Sequence, residues 1–486
     1  MVIFTDKNNY TMLIDFYELT MANGYFEAGY LDQIVYFDLF FRRVPDGGGY
    51  VITAGLEQII DYIKKLYFSE SDIDYLRSKS LFSEEFLTYL KSFKFTGDLY
   101  AVKEGTPVFP NEPILTIRAN VIEAQILETY LLIMINHQSL IATKASRIVR
   151  AADGRPIIEM GSRRAHGPSA AILGARASYI GGVIGTACVS ADLEYQVPAA
   201  GTMAHSWIQL FDSEYEAFEQ FCKLYPHNAI LLVDTYNVLK SGVPNAIKAI
   251  KKVLLPQGIK NAAIRLDSGD LAYLSKEARK MLDKAGLNFV KIVASNSLDE
   301  FEITKLLGQK AQIDIFGVGE RLITSKSDAV LGGVYKLVAT IKDNEIIPKI
   351  KISENESKIT NPHYKKVYRL FDRTNNKALA DVLMVFDETI DDTNEYEIFD
   401  PDFTWKRKML SNFYKEELLT PIFLNGVLVY QVPTIEEIRK HCQFELSRLW
   451  DEVKRFEKPH EYYVDLSPKL WDIKYKMINE ITSQNK

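Results

Sequence analysis

The chain is short of cysteine. It has three, Cys188, Cys222 and Cys442, in 486 residues. They are far apart, odd in number and without CxxC spacing, which excludes a disulfide framework and a Cys-based zinc site and points to a reducing compartment. No stretch approaches the ~18 apolar residues that cross a bilayer. The opening Met1-Val2-Ile3-Phe4-Thr5-Asp6-Lys7 has no apolar core of the kind a secretion signal needs, so the expected location is the cytoplasm. Basic charge is not in excess either: 58 Lys and Arg stand against 64 Asp and Glu, a net charge of −6. That argues against a nucleic-acid partner, which needs a dominant basic surface. A small anion remains possible, because a few local arginines can hold it. Metal-binding spacings such as HxH or HExxH are absent, as are internal repeats and low-complexity tracts.

What is present is an ordinary globular composition, 47% hydrophobic and 25% charged, long enough for ~3 domain-sized units and for a core without disulfides or structural metals. Residues 34–43 alternate and are rich in β-formers, which predicts a strand, followed by the Gly47-Gly48-Gly49 turn. Residues 105–118 read as β-rich with Pro-bounded turns, and residues 121–152 carry helical periodicity through Ile122, Leu127, Leu131, Met134 and Ile135. The first third is therefore an α+β unit. In the middle, short apolar strands at 156–162, 197–206, 229–236, 262–269, 289–296, 313–319 and 334–339 alternate with helical stretches at 213–224, 243–254 and 274–285. Asp212 and Ser213 supply capping chemistry before the first of these helices. Near-continuous apolar strands separated by helices predict a buried parallel sheet, and seven of them suit an irregular (β/α) barrel. Residues 342–365 read as exposed β and loop. The tail IEEIRKHCQFELSRLWDEVKRFEK reads as amphipathic helix, a packing appendage.

In a parallel α/β barrel the reactive groups gather at the carboxyl ends of the strands. Those ends carry Arg163-Arg164, Thr202 with His205, Asp234, Arg265 with Asp267, Ser295-Asn296 and Gly317-Val318-Gly319. Two arginines on separate strands can grip a carboxylate or phosphate. Aspartates beside them can bind Mg²⁺ or stabilise a cationic transition state. A glycine turn offers backbone N–H groups to a phosphate, and a histidine among such groups serves as base or nucleophile. Taken singly, each has a plainer reading: His205 as a hydrogen-bonded structural residue, Asp234 and Asp267 as caps or ion-pair partners, Gly317 and Gly319 as turn residues, Arg163 and Arg164 as a solvated pair. Their convergence on one face favours a substrate with phosphates, a carboxylate and a developing positive charge. His137, His166, His227, His363, His441 and His460 are read as structural or surface residues.

Seven segments, in order, resemble the nicotinate phosphoribosyltransferase family: Asp15-Phe16-Tyr17-Glu18-Leu19-Thr20-Met21, GSRRAHGP (161–168), AGTMAHSW (200–207), VDTYN (233–237), IRLDSGDL (264–271), FGVGERLIT (316–324) and LGGVYKLVA (331–339). The resemblance runs from about residue 15 to 340. It implies an N-terminal α+β sandwich domain (1–138), an irregular α/β barrel carrying the active site (139–341), and a C-terminal region (342–486) that partly returns to the first domain and ends in a helical extension. It implies an ATP-dependent, C–N bond-forming ligase that joins nicotinate to the phosphoribosyl group of phosphoribosyl pyrophosphate (PRPP) and releases pyrophosphate, with Mg²⁺ as cofactor and ATP as co-substrate. His205 matches the histidine that ATP phosphorylates. Arg265 and Thr202 match positions that hold nicotinate, and Arg163 one near the substrate phosphates and carboxylate. Asp267 and Asp234 match positions near the ribose and Mg-pyrophosphate, Asn296 one near the ribose hydroxyls, and Ser295 beside it is a further expected substrate-binding residue. Gly317, Gly319 and Thr324 match the 5′-phosphate cradle. Tyr17 matches a residue that stacks on the pyridine ring from the partner subunit, so a homodimer is implied.

The chain also departs from the family pattern. Members of the human type carry Phe where Met160 stands, relatives often have Thr at Glu320, and Ile14 replaces a usual Thr. Met can still pack on a ring, and a carboxylate at Glu320 should point away from the phosphate. The nearest alternative is nicotinamide phosphoribosyltransferase, which has an Asp in a Gly-Thr-Asp segment. Here the segment reads Gly185-Thr186-Ala187-Cys188, with no acid to accept an amide bond or repel a carboxylate. Quinolinate phosphoribosyltransferases are much shorter and lack the phosphorylated His. A barrel hydrolase and a non-catalytic nucleotide binder are the readings from other classes.

Overall fold

The computed structural model describes residues 9–355 and 358–484; the opening Met1–Lys7 stretch lies outside them. The chain divides into two compact units, one of residues 141–329 and one built from 1–140 together with 330–486. The second is interrupted by the first.

The inserted unit carries a six-stranded sheet. Its order from edge to edge is Gly185–Thr186, Ile157–Glu159, Ile315–Val318, Lys291–Ala294, Ala262–Leu266 and Ala229–Leu232, and every pairing is parallel. Strand residues such as Ile157, Leu231, Ile264, Ile292 and Phe316 are buried. That is why these strands read as near-continuous apolar runs rather than alternating ones. Five expected strands are present in shortened form. Two are not barrel strands. Residues 197–206 make only a single parallel bridge, Thr186 to Ala199: Pro198 has no N–H, and Ala199, Ala200 and Gly201 have little side chain to pack. Residues 334–339 belong to Val334–Lys342, an antiparallel strand of the other unit. Its buried positions are interrupted by part-exposed ones, the mark of a one-sided sheet. The parallel sheet is therefore a curled half-barrel with two edges, Gly185–Thr186 and Ala229–Leu232.

Helices cover the sheet between its strands. Glu214–Leu224 begins at Ser213, whose side chain accepts from Glu216 N; Leu271–Lys284 begins one turn earlier than its pattern suggests because Asp270 accepts from Tyr273 N. Glu300–Gly308 is capped by Asp299, which accepts from Phe301 N and Glu302 N and is also bound by Arg321 at 2.6 Å. The second half of the long helix Glu128–Ala151 is fixed to this one by ions. Lys144 Nζ (2.9 Å) and Arg147 Nε (2.8 Å) both reach the buried Glu300 carboxylate.

The interrupted unit holds an antiparallel seven-stranded sheet, ordered Glu345–Pro348, Val334–Lys342, Ile34–Phe40, Leu115–Asn120, Asp98–Val102, Leu419–Leu424 and Val427–Leu428. It also holds a four-stranded sheet of Phe413–Glu417, Lys365–Asp372, Ala378–Val385 and Val464–Leu466, centred on the buried pair Arg369–Asp381 at 2.6 Å. The tail helix is shorter than its pattern: Ile435–Arg448 stops where Leu449 turns extended and Trp450 donates to Ala378 O at 2.8 Å. A further helix, Pro468–Gln484, follows. No helix among the described residues is long and apolar enough to cross a membrane.

The Glu300 cluster gives a stability prediction. Glu300→Ala strands two buried cations, so unfolding should cost about 3–5 kcal/mol less. Calorimetry that finds a loss below about 1 kcal/mol would show the pair to be dispensable.

Candidate active site

The side chain that gathers the carboxyl edge of the half-barrel is Arg265, delivered by Ala262–Leu266. Its Nε donates to Ser295 Oγ (2.9 Å), Nη1 to Thr202 Oγ1 (3.3 Å) and Nη2 to Asp267 Oδ1 (3.1 Å). Ser295 donates its own hydroxyl to the same Asp267 oxygen. One carboxylate oxygen thus receives a guanidinium and a hydroxyl, which fixes both donors. The Asp267 N–H donates to Asp234 Oδ2 at 3.1 Å, and the Ser268 hydroxyl donates to that oxygen too. Thr235, next along the chain, meets His205 Nδ1 through its hydroxyl at 3.1 Å. A continuous path therefore runs from His205 through Thr235 and Asp234 to Asp267, Arg265, Ser295 and Thr202.

His205 is not at a strand end as expected from sequence. It opens the helix His205–Leu210, because the preceding Pro198-Ala199-Ala200-Gly201 stretch makes only one β-bridge and no strand runs up to it. Arg163 lies in the 3-10 turn Ser162–Arg164 and is exposed. Asn296 and Ser297 have φ of 92° and 50°, left-handed conformations that store strain in non-glycine residues. The glycine turn lies close against Met160: a Cβ on Gly317 would lie 2.6 Å from Met160 Sδ, and one on Gly319 3.0 Å from Met160 O. Met160 therefore packs over the glycine turn. Thr324 ends the short helix Glu320–Ile323 and donates its hydroxyl to Glu320 O at 2.7 Å. The Glu320 carboxylate is taken by Lys326 at 2.7 Å. That bond, with the Lys326 charge and the nearby Arg164 and Arg321, holds it below the usual carboxylate range. Arg163, Asn296 and Thr324 stand on turns of the same unit, beside the hydrogen-bonded path and not within it.

Tyr17 belongs to the other unit, on helix Phe16–Glu27, with its ring 46% exposed. Burial of its hydroxyl and the neighbouring Glu128 and Glu18 carboxyls push the phenol up. Thr129 donates to Glu18 and accepts from Asp15 N at 3.2 Å, which pins the start of this helix.

Reasoning from the sequence passed over four residues of the site. Ser268 and Thr235 lie in the segments IRLDSGDL and VDTYN, where nothing local marks their hydroxyls as partners of Asp234 and His205. Glu159 and Thr186 hydrogen-bond to each other at 2.6 Å. The signal for Glu159 was available: an acid inside the apolar run PIIEMGS has to be satisfied locally. Asp234 Oδ1 is buried with no hydrogen-bond partner, a polar atom suited to a cation or a water. No cluster of three metal-binding side chains occurs among the described residues.

A half-barrel whose carboxyl edge carries this array defines an α/β enzyme of the barrel class. Three family descriptions match the chain: the nicotinate phosphoribosyltransferase N-terminal domain over residues 12–136, the nicotinate phosphoribosyltransferase family over 156–386, and its C-terminal domain over 364–474. The chain is 44% identical over 470 residues to the nicotinate phosphoribosyltransferase of Bacillus subtilis (strain 168), covering 97% of this chain and 95% of that one. It is 30% identical to that of Homo sapiens over 94% and 95% of the two chains. The crystal structure of human nicotinic acid phosphoribosyltransferase superimposes with a TM-score of 0.83 at 28% identity, covering 96% of this chain and all of that one. The chain belongs to the nicotinate phosphoribosyltransferase family and is an enzyme.

The Glu18 carboxyl gives a pH prediction. Burial pushes it up to about 8 from its ordinary 4.5, against the Thr129 hydrogen bond. The folded protein thus holds a proton that the unfolded chain releases. This contribution is full below pH 4.5 and is lost as pH rises through about 8. Glu18→Gln should flatten the fall in stability between pH 4.5 and about 8, read by denaturant titration at several pH values. An unchanged slope would place the titration elsewhere.

Proposed function

We propose that the chain transfers phosphoribosyl from PRPP to nicotinate, giving nicotinate mononucleotide and pyrophosphate for NAD synthesis, and couples the step to ATP through a phosphorylated His205. The observation that carries this reading is the clamping of Arg265 by Ser295, Thr202 and Asp267. Three of its five N–H groups are engaged, and the remaining two suit the carboxylate of nicotinate. The pyridine nitrogen is a weak nucleophile, so a ring held in line with the anomeric carbon supplies much of the rate. The C–N bond forms as the bond from that carbon to pyrophosphate breaks. Asp267 and Asp234 lie where positive charge develops on the ribose. Asn296 meets the ribose hydroxyls, Arg163 the charged ends of the substrates, and Gly317, Gly319 and Thr324 the 5′-phosphate. Thr324 must first release its hydroxyl from Glu320 O. Tyr17 of a second copy stacks on the ring in a homodimer.

The unpartnered Asp234 Oδ1 fits Mg²⁺ held by Asp234 and Asp267, with substrate oxygens and water completing its shell. Bound there, Mg²⁺ would neutralise the leaving pyrophosphate. In the tautomer that carries its proton on Nδ1 and donates it to the Thr235 hydroxyl, His205 keeps an Nε2 lone pair to attack the γ-phosphorus of ATP. The N–P bond forms, ADP departs, and water later cleaves the phosphoramidate to phosphate.

Two measurements test this. Intact mass after incubation with MgATP should show an acid-labile phosphate on the wild type and none on His205→Ala. Absence of phosphate on both removes His205 from the mechanism. With PRPP saturating, kcat/KM for nicotinate should exceed that for nicotinamide at least ~100-fold, because Ala187 offers the amide no acceptor; comparable values would overturn the choice of substrate.

A further inference from the structure

Glu159 ends the strand Ile157–Glu159 with its side chain wholly buried. One carboxylate oxygen accepts from the Gly161 N–H and the other from the Thr186 hydroxyl. Thr186 Oγ1 in turn accepts from Cys188 N at 3.0 Å, and the Glu159 carbonyl accepts from Ala187 N at 2.8 Å. Thr186 is also the anchor of the segment that leads to Thr202 and His205: its N–H donates to Pro198 O at 3.0 Å, and its carbonyl accepts from Ala200 N at 2.8 Å. On the other side, the Met160–Gly161 pair closes on the glycine turn. Met160 N donates to Val318 O at 2.7 Å, and a Cβ on Gly161 would lie 2.7 Å from Gly319 O.

We infer that Glu159 is a positioning residue: its carboxylate ties the turn bearing Arg163 and Met160 to the Thr186 loop, and through Thr186 holds the 198–205 segment that presents Thr202 and His205.

The inference rests on the function proposed above. The alternative is a core acid that contributes to stability alone. Its chemistry argues for the clamp. A carboxylate fully withdrawn from water is costly unless hydrogen-bonded; burial pushes this one up, while Thr186 and Gly161 pull it back. Both of its oxygens are spent on the two loops of the carboxyl edge, and none on a core cation. The 198–205 segment has one β-bridge in place of a strand's ladder, so its register depends on Thr186.

The test uses the full chain with Glu159→Ala, Glu159→Gln, Thr186→Val and Thr186→Ser, varying nicotinate and PRPP separately and recording melting temperature. Glu159→Ala should raise KM for nicotinate at least ~10-fold, since a misplacement of order 1 Å costs about that or more, with a smaller change in kcat. Thr186→Val should do the same, and Thr186→Ser should restore the wild-type value. Glu159→Gln keeps an acceptor for Gly161 and a polar partner for Thr186, and should stay within ~3-fold of wild type. Variants that lower the melting temperature while leaving KM unchanged would overturn the inference. So would a Gln variant as impaired as the Ala variant. If the wild type itself makes no nicotinate mononucleotide, the proposed function fails separately. Amide exchange over residues 160–165 and 198–204 then decides: faster exchange in Glu159→Ala upholds the clamp, and unchanged exchange refutes it.

Discussion

Arg265 is held by three oxygens from three different chain segments: the loop bearing Thr202, the turn bearing Asp267 and the end of the strand before Ser295. A guanidinium is planar and its donors diverge in a fixed fork. Placing three of them fixes the plane of the guanidinium, so the remaining donors are set before any ligand arrives. The parallel sheet makes this possible, because adjacent parallel strands deliver their carboxyl ends side by side. Arg265 pairs with Val293 in register, two residues before Ser295. The site is thus preorganised by backbone pairing first and by side-chain bonds second.

The acidic balance of the whole chain and the proposed binding of anionic substrates do not conflict. Asp267 keeps the guanidinium compensated without a ligand. Glu320, which would oppose a phosphate, is occupied by Lys326. The Glu300 cluster behind the sheet applies the same logic in the interior, where one buried carboxylate satisfies cations from a neighbouring helix.

Much of this was legible in the sequence, for identifiable reasons. Five parallel strands announced themselves because burial on both faces demands apolar runs, and Ser213 announced its helix by its capping chemistry. Arg265, Asp267, Asp234 and Ser295 were legible as strand-end residues in ordered segments. What was hidden depended on contacts distant in sequence. Nothing local shows that 334–342 pairs with Ile34–Phe40, or that Pro198 and its small neighbours replace a strand with a loop. The four-stranded sheet of the last third was not located, because its strands mix charged and apolar residues. Thr235 and Thr186 were invisible as partners of His205 and Glu159, since a threonine's hydrogen bond is decided by the fold.

The interruption of one unit by the other has a consequence for the order of events during synthesis. Residues 141–329 form a contiguous unit, complete as soon as that stretch has emerged from the ribosome. The seven-stranded sheet cannot close then. Strand Ile34–Phe40 must wait for Val334–Lys342 on one side, and Asp98–Val102 for Leu419–Leu424, pairings some 300 residues apart in the chain. Such distant pairings form slowly and leave strand edges open meanwhile. The nascent chain therefore carries an assembled half-barrel while Ile34–Phe40 and Asp98–Val102, each paired with Leu115–Asn120, still have one edge open. That interval is when a chaperone has most to protect, and truncation late in the chain would leave those early strands open for good.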